Sequence, residues 1–217
     1  MSLLDHLCGY GSSRLWCAIG GGGKTSLLQA LVHEASSRGL PGILTTTTRM
    51  YPPPPDWESH APGWRFWSCG LQDGKVYGPT PLILQQQADE HPLHWMLVEA
   101  DGSRGRPLKI HAAHEPMLPP RPGLVLLLVG LSALGTRVQE SVHRWQGRFD
   151  PDRGVDALLI DEIVEGLARS AEGHPQLVIF NQASSPQQRE LALSWGRRHP
   201  GRAALWRDHG CWGQVSL

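Results

Sequence analysis

The chain lacks a charge excess of either sign: twenty Lys and Arg balance twenty Asp and Glu, leaving a formal net charge of zero with histidine neutral. That balance argues against a dedicated DNA- or RNA-binding protein, which neutralises phosphates with a basic face. Long apolar runs are missing as well. None approaches the roughly 18–20 residues of a membrane span, so neither nucleic acid nor membrane is an expected partner. Cysteine is scarce: Cys8, Cys17, Cys69 and Cys211 form no C-x-x-C pair, which argues against a structural zinc site or a dense disulfide framework. Unpaired cysteines fit a reducing compartment. Asp5 and His6 stand where an export signal needs positive charge, and the expected location is cytoplasmic.

Glycine and proline are plentiful, at 25 and 18 residues, and hydrophobic residues make up 40%, enough for a buried core. The length suits a single domain over residues 1–217. Pro52 to Pro55 must be extended and non-helical. They fall in a Pro- and Trp-rich insertion around residues 49–77 that reads as irregular, with a short strand at Trp64–Ser68.

Around that insertion the periodicity alternates. Leu15–Ile19 is a short apolar strand. From Lys24, residues Leu27, Leu28, Leu31, Val32 and Ala35 fall on one helical face, and Gly39 closes the helix. The β-branched run Gly42–Thr48 reads as a second strand. Further on, Pro81–Glu90 reads as a helix and His94–Val98 as a strand, followed by a long polar loop. Leu124–Val129 is a central strand buried on both faces. A helix is expected to open near Asp161 as N-cap, then a strand at Gln176–Phe180, a helix at Ser185–Arg198 and a strand at Ala203–Trp206. This alternation predicts a three-layer α/β fold of the P-loop type with a mostly parallel sheet.

The segment "CAIGGGGKTSLLQAL" lies at the first strand-to-helix turn. Glycines there let backbone N–H groups approach phosphate oxygens, and the helix N-terminus and a lysine add positive potential. Gly20, Gly21, Gly22, Gly23, Lys24, Thr25 and Ser26 form the expected nucleotide-binding set, with Lys24 on the β/γ-phosphates and the Thr25 hydroxyl on Mg²⁺. The common pattern G-x-x-x-x-G-K-[ST] fails at Ala18. The shorter G-x-x-G-K-T, used also by Mur-type ligases, is satisfied by Gly20, Gly23, Lys24 and Thr25.

Ligands in such sheets collect at the carboxyl ends of strands. Thr47, Thr48 and Arg49 follow the second strand. Glu99 and Asp101 follow "HWMLV", where an acid would hold Mg²⁺ or orient an attacking water, and Arg104 and Arg106 follow as candidate stabilisers of phosphoryl charge, with Lys109 beyond. His111, His114 and Glu115 suggest a metal reading by spacing, against an ordinary loop role, and His143 and Arg144 form another polar cluster. Asn181, counted with the nucleotide-binding set, stands where guanine-specific proteins carry N-K-x-D, but Gln182 and Ser184 replace the lysine and aspartate. ATP is therefore expected, with GTP the poorer fit.

In chain order, "GGGGKTSLL", "TTTTRM", "LVEADGSRGRPLK", "HEPMLPP", "VGLSALG", "VHR" and "FNQAS" resemble the YqeC-like family, described as accessory proteins of selenium-dependent molybdenum hydroxylases. The resemblance runs from about Leu15 to Ala183, with Trp145 standing where the family pattern continues as "VHRP". It implies a cytoplasmic P-loop protein acting on a molybdenum hydroxylase or on a selenium or molybdenum cofactor intermediate. By the same resemblance Lys24 and Thr25 are assigned to nucleotide and Glu99 and Asp101 to Mg²⁺. Arg104, Arg106, Lys109, His114, Glu115, His143 and Arg144 are assigned to a substrate or partner. The leading expectation is an accessory protein that hydrolyses ATP or transfers its γ-phosphoryl group, with Lys24, Glu99, Asp101 and Arg104 as the catalytic set. The alternatives are a small-molecule kinase or Mur-like ligase, and a nucleotide-gated cofactor carrier with negligible turnover.

Overall fold

A computed structural model describes residues 2–54, 56–209 and 211–216. The elements run α1 (Leu3–Cys8), β1 (Leu15–Gly20), α2 (Lys24–Ser37), β2 (Gly42–Thr46), β3 (Arg49–Met50), a 3-10 turn (Trp57–His60), β4 (Trp64–Trp67), β5 (Gly70–Gln72) and β6 (Lys75–Tyr77). They continue with α3 (Pro81–Glu90), β7 (Trp95–Glu99), β8 (Leu108–Lys109), β9 (Leu124–Gly130), a second 3-10 turn (Leu131–Ala133), α4 (Val138–Ser141) and β10 (Val142–His143). Last come α5 (Ala157–Ser170), β11 (Gln176–Asn181), α6 (Pro186–Arg198), β12 (Ala204–Asp208) and β13 (Cys211–Ser216).

Eight strands form one sheet in the order β13-β12-β11-β9-β1-β7-β2-β4. Every neighbouring pair is parallel except β12 and β13. The molecule is thus a mixed α/β structure with a large, mostly parallel sheet. All six residues of β1 and all seven of β9 are buried, as strands covered on both faces must be. Alternation divides the core in two: Leu15, Cys17 and Ile19 join one apolar cluster with α5 and α6, while Trp16 and Ala18 join the other with α1 and α2. Leu27, Leu28 and Leu31 of α2 are buried, each contributing roughly 1.5–3 kcal/mol.

Strand β1 lies between β7 and β9; the chain leaving β1 passes through α2 to β2, beyond β7, while the chain leaving β9 passes through α5 to β11 on the other side. Connections therefore depart to opposite sides at the carboxyl ends of β1 and β9. Such a reversal opens a crevice, and the glycine run sits there.

Several expectations need correction. The fifth α-helix opens a turn before Asp161: Asp156 is its N-cap, accepting from the Leu159 N–H at 2.8 Å. Leu158 is 73% exposed, which hid the first turn from the apolar periodicity. The second strand stops at Thr46, because the Thr46 hydroxyl turns back to accept from the Thr48 N–H. The polar loop after Glu99 contains β8, which pairs with β10. Within residues 49–77, β3, β6 and β5 form a small antiparallel sheet and β4 adds to the edge of the main sheet beside β2. Pro52–Pro54 have no helix or strand assignment; Pro55 lies outside the described residues. Helix α1 and strand β13 were not expected at all.

Among the described residues no helix is long and apolar enough to cross a membrane. The four cysteines are unpaired.

Candidate functional site

The glycine run divides into a buried part and an open part. The Gly20 N–H donates to Asp101 Oδ2 at 2.8 Å, the Gly21 N–H to the Leu128 carbonyl at 3.0 Å, and the Gly22 N–H to the Arg106 carbonyl at 3.1 Å. Packing demands glycine there. A Cβ on Gly20 would lie 2.2 Å from the Leu128 carbonyl oxygen, and one on Gly22 would lie 2.4 Å from Gly130 Cα, both at positive φ. Beyond them the pattern changes. No described residue accepts from the N–H groups of Gly23, Lys24, Thr25 or Ser26, which open the first turn of α2, whereas the Leu27 N–H already bonds the Gly23 carbonyl. Open donors at a helix N-terminus, where the dipole adds positive potential, are the features an anion site uses.

A buried ionic cluster stands beneath it. Lys24 Nζ donates to the Gly20 carbonyl at 2.7 Å and pairs with Asp101 at 3.0 Å, with Glu99 at 4.0 Å. The Thr25 hydroxyl donates to Glu99 Oε2 at 2.6 Å. Asp101 is fully buried and also meets Lys109 Nζ at 3.3 Å and His111 Nε2 at 2.6 Å. Burial alone would push the Asp101 carboxyl up, but the Lys24 ammonium, the His111 hydrogen bond and Lys109 hold it well below the usual carboxylate range. Glu99 goes the other way: burial raises its pKa against the pull of Lys24 and Thr25. Two acids two residues apart are thus held in opposite conditions.

Two cavities adjoin this cluster. One, of about 620 Å³, is walled by Gly23, Lys24, Thr25, Glu99, Tyr51 and Gln182 among others. The second, of about 750 Å³, is walled by Thr47, Thr48, His114, Glu115, His143 and Arg144 among others. They share Arg49, Lys75, Gly102 and Arg104 as a common wall.

Of the residues expected at the site, Thr47, Thr48, Arg49, Arg104, His114, Glu115, His143 and Arg144 therefore come together around the second cavity, although they lie on four separate stretches of chain. Others sit behind the walls. The Arg106 guanidinium donates to the Gln139 and Val142 carbonyls. Asn181 donates from Nδ2 to the Gly22 carbonyl at 2.6 Å and accepts from Arg207 at 3.0 Å. Lys109 is buried between Asp101, Glu115 and the Gly102 carbonyl. These side chains hold the loops in place.

His111, His114 and Glu115 do not gather as metal ligands: among the described residues, the group with ligand spacing is Asp161, Glu165 and His199, away from the glycine run. There the Trp195 N–H, Arg198 and Arg202 engage the carboxylates. Sequence reasoning missed Lys75 and Tyr51, whose Nζ-to-ring distance is 4.9 Å. Both are isolated residues in the Pro- and Trp-rich segment, and no motif marks them.

The geometry defines a class: a mixed α/β protein with a glycine turn, open helix N–H groups and buried carboxylates at the strand ends of its parallel sheet. The family model of the YqeC protein matches residues 16–146, and the chain belongs to that family. It is similar to an uncharacterized protein YqeC of Escherichia coli (strain K12), 36% identical over 173 residues, which cover 71% of this chain and 67% of that protein. No solved structure matches it.

Proposed function

We propose that this protein has a P-loop nucleotide-binding fold of three layers. On this reading it binds Mg²⁺–ATP at the glycine run and uses the γ-phosphoryl group while serving maturation of a selenium-dependent molybdenum hydroxylase or its cofactor. The hydroxylase link rests on membership of the YqeC family; the nucleotide rests on the site. The observation that carries it is the Thr25–Glu99 contact of 2.6 Å beside the open N–H groups of Gly23–Ser26. A hydroxyl and a carboxylate so placed fit the hard-oxygen preference of a magnesium ion, and four open donors at a helix N-terminus fit a phosphate.

Bound Mg²⁺–ATP supplies an electrophilic phosphoryl group. The chain's own residues would do the rest. The α2 amides hold phosphate oxygens, and Lys24, which lines the cleft with its ammonium on the Gly20 carbonyl and Asp101, adds positive potential beneath them. Thr25 and Glu99 orient the metal side, and Arg104 offers charge where the transferred group builds it up. Transfer to a second molecule is favoured over simple hydrolysis because a second cavity shares the Arg49, Lys75 and Arg104 wall.

Calorimetric titration with Mg²⁺ and a non-hydrolysable ATP analogue tests the reading, with Lys24→Met and Thr25→Val as comparisons. Binding by the natural chain and its loss in both variants is the expected result. Equal affinity in all three folded proteins would overturn it.

A further inference from the structure

The second cavity has a charge pattern of its own. Its walls carry four permanent cations, Arg49, Lys75, Arg104 and Arg144, against the acids Asp73 and Glu115. The acids are already engaged. Asp73 lies 3.6 Å from Arg49, and Glu115 is held at 3.0 Å by both Lys109 and Arg144. Neither Lys75 nor Arg104 has a carboxylate partner among the described residues, and both stand on the wall shared with the glycine-run cleft. His143 lines the same cavity, and its imidazole is pushed down to about 4, first by burial and then by Lys109, Arg144 and Arg104, with Glu115 opposing.

Two further observations point to a ligand. The Thr47 hydroxyl, on a residue only 9% exposed that lines the cavity, has no hydrogen-bond partner among the described residues. A buried polar atom of this kind costs stability unless something supplies its bond. The backbone is also held in unusual conformations there. Among the described residues, five non-glycine residues have positive φ. Asp73 and Arg104 owe theirs to two-residue turns with Gly74 and Gly105, which leaves Arg144 on the second cavity and Gln182 on the cleft. Such conformations cost free energy and gather where side chains must be aimed.

We infer that the second cavity binds a phosphate-bearing small molecule, with Lys75 and Arg104 at the end nearest the glycine run and Arg144 and Thr47 further in. Several cations and an unpartnered hydroxyl match a phosphate, with its three oxygens and near-double charge, better than a lone carboxylate. The volume falls within the range of about 300–1,000 Å³ usual for small-molecule sites. This rests on the proposed phosphoryl chemistry for its purpose, though not for the binding itself: a phosphorylated co-substrate here would present its acceptor group across the Arg104 wall to the nucleotide.

The probe is inorganic pyrophosphate, titrated calorimetrically into the natural chain, Arg144→Gln and Thr47→Val, with thermal melts to establish folding. Arg144 and Thr47 line the second cavity and not the cleft. Arg144→Gln is therefore expected to weaken one class of pyrophosphate site by about tenfold or more, and Thr47→Val to weaken it less. Both should leave affinity for the Mg²⁺–ATP analogue unchanged. Should Arg144→Gln not fold, Arg144→Lys replaces it, with a smaller loss expected. Identical pyrophosphate isotherms in folded Arg144 variants and the natural chain would overturn the inference, as would malonate binding as tightly as pyrophosphate. Failure of the ATP analogue to bind the natural chain would sink the nucleotide reading alone, because the pyrophosphate comparison does not depend on it.

Discussion

The Thr25 hydroxyl donates to Glu99 at 2.6 Å, joining the first turn of α2 to the last residue of β7. These residues are 74 apart in the chain, and the parallel sheet brings them together because β1 and β7 are direct neighbours with Ala18 opposite Glu99. The contact orients the carboxylate toward the cleft that both line. Thr25→Ser should keep Mg²⁺-dependent nucleotide binding. Thr25→Val, close in shape but without the hydroxyl, should lose it while the melting temperature stays close to that of the natural chain. Nucleotide titration with and without Mg²⁺ measures this, and equal Mg²⁺ dependence in Thr25→Val would count against the assignment.

Gly22 tests what the glycines are for. Its N–H is bonded to Arg106 and its φ is +80°, with Gly130 Cα 2.4 Å from where a Cβ would stand. Alanine there costs about 1–2 kcal/mol from the left-handed backbone alone, and the close approach to Gly130 adds to it. Gly22→Ala should therefore lower the melting temperature by about 2–4 °C for each kcal/mol in a chain of this size. An unchanged melt would show that this turn is not packed as described.

Asn181 bears on the base. Its amide bonds the Gly22 carbonyl and Arg207, and the next residue, Gln182, is the one that lines the cleft. With no aspartate at Ser184 to read guanine, competition titrations should find ATP and GTP within about a hundredfold of each other. Asn181→Asp places an acceptor against the Gly22 carbonyl and should weaken both nucleotides alike. A selective loss of one base would place Asn181 at the base instead of under the loop.

How legible this was in the sequence differs from residue to residue. The run from Leu15 through Ala35 carries its own structure: an apolar strand, glycines, then apolar residues at helical spacing, all formed by neighbours in the chain. Glu99 was legible because a fully apolar strand delivers it to one edge of the sheet. The second cavity was not. Arg49, Arg104 and Arg144 were suspected one by one, but they meet only through the pairing of β8 with β10 and of β3 with β6, strands of two or three residues without periodicity. Lys75 carries no local signal at all. Asp161, taken for a helix cap, instead accepts from the Trp195 N–H, a contact between two helices that no local pattern announces.

His143 gives a pH prediction with a definite sign. Its ordinary value is 6.5 and in the fold it is pushed down to about 4 by burial and by Lys109, Arg144 and Arg104, with Glu115 opposing. Between these values the unfolded chain binds more protons than the folded one, so stability falls as pH drops from about 6.5 toward 4. His143→Asn removes this contribution. Melting temperatures across that range should fall less steeply in the variant than in the natural chain; parallel curves would mean that His143 is not held neutral.

Glu99 and Asp101 offer the sharpest comparison, because the sequence treats them alike and the structure does not. Asp101 is fully buried, hydrogen-bonded to the Gly20 N–H and His111 and ion-paired with Lys109 and Lys24. Asp101→Asn leaves two buried ammonium groups short of their counter-charge, and breaking such a cluster costs about 3 kcal/mol or more. It should melt early whether or not nucleotide is present. Glu99 lines the cleft, and its carboxyl is already pushed toward the neutral form by burial. Glu99→Gln keeps its volume and can still accept from Thr25, so the melt should barely move. Its charge is what a metal or an attacking group would need, and turnover should fall by about a hundredfold or more if Glu99 takes part in the chemistry. Thermal melts and phosphate release measured on both variants separate scaffold from chemistry. A Glu99→Gln protein that turns over ATP at the natural rate, or an Asp101→Asn protein as stable as the natural chain, would reverse the division of roles between the two acids.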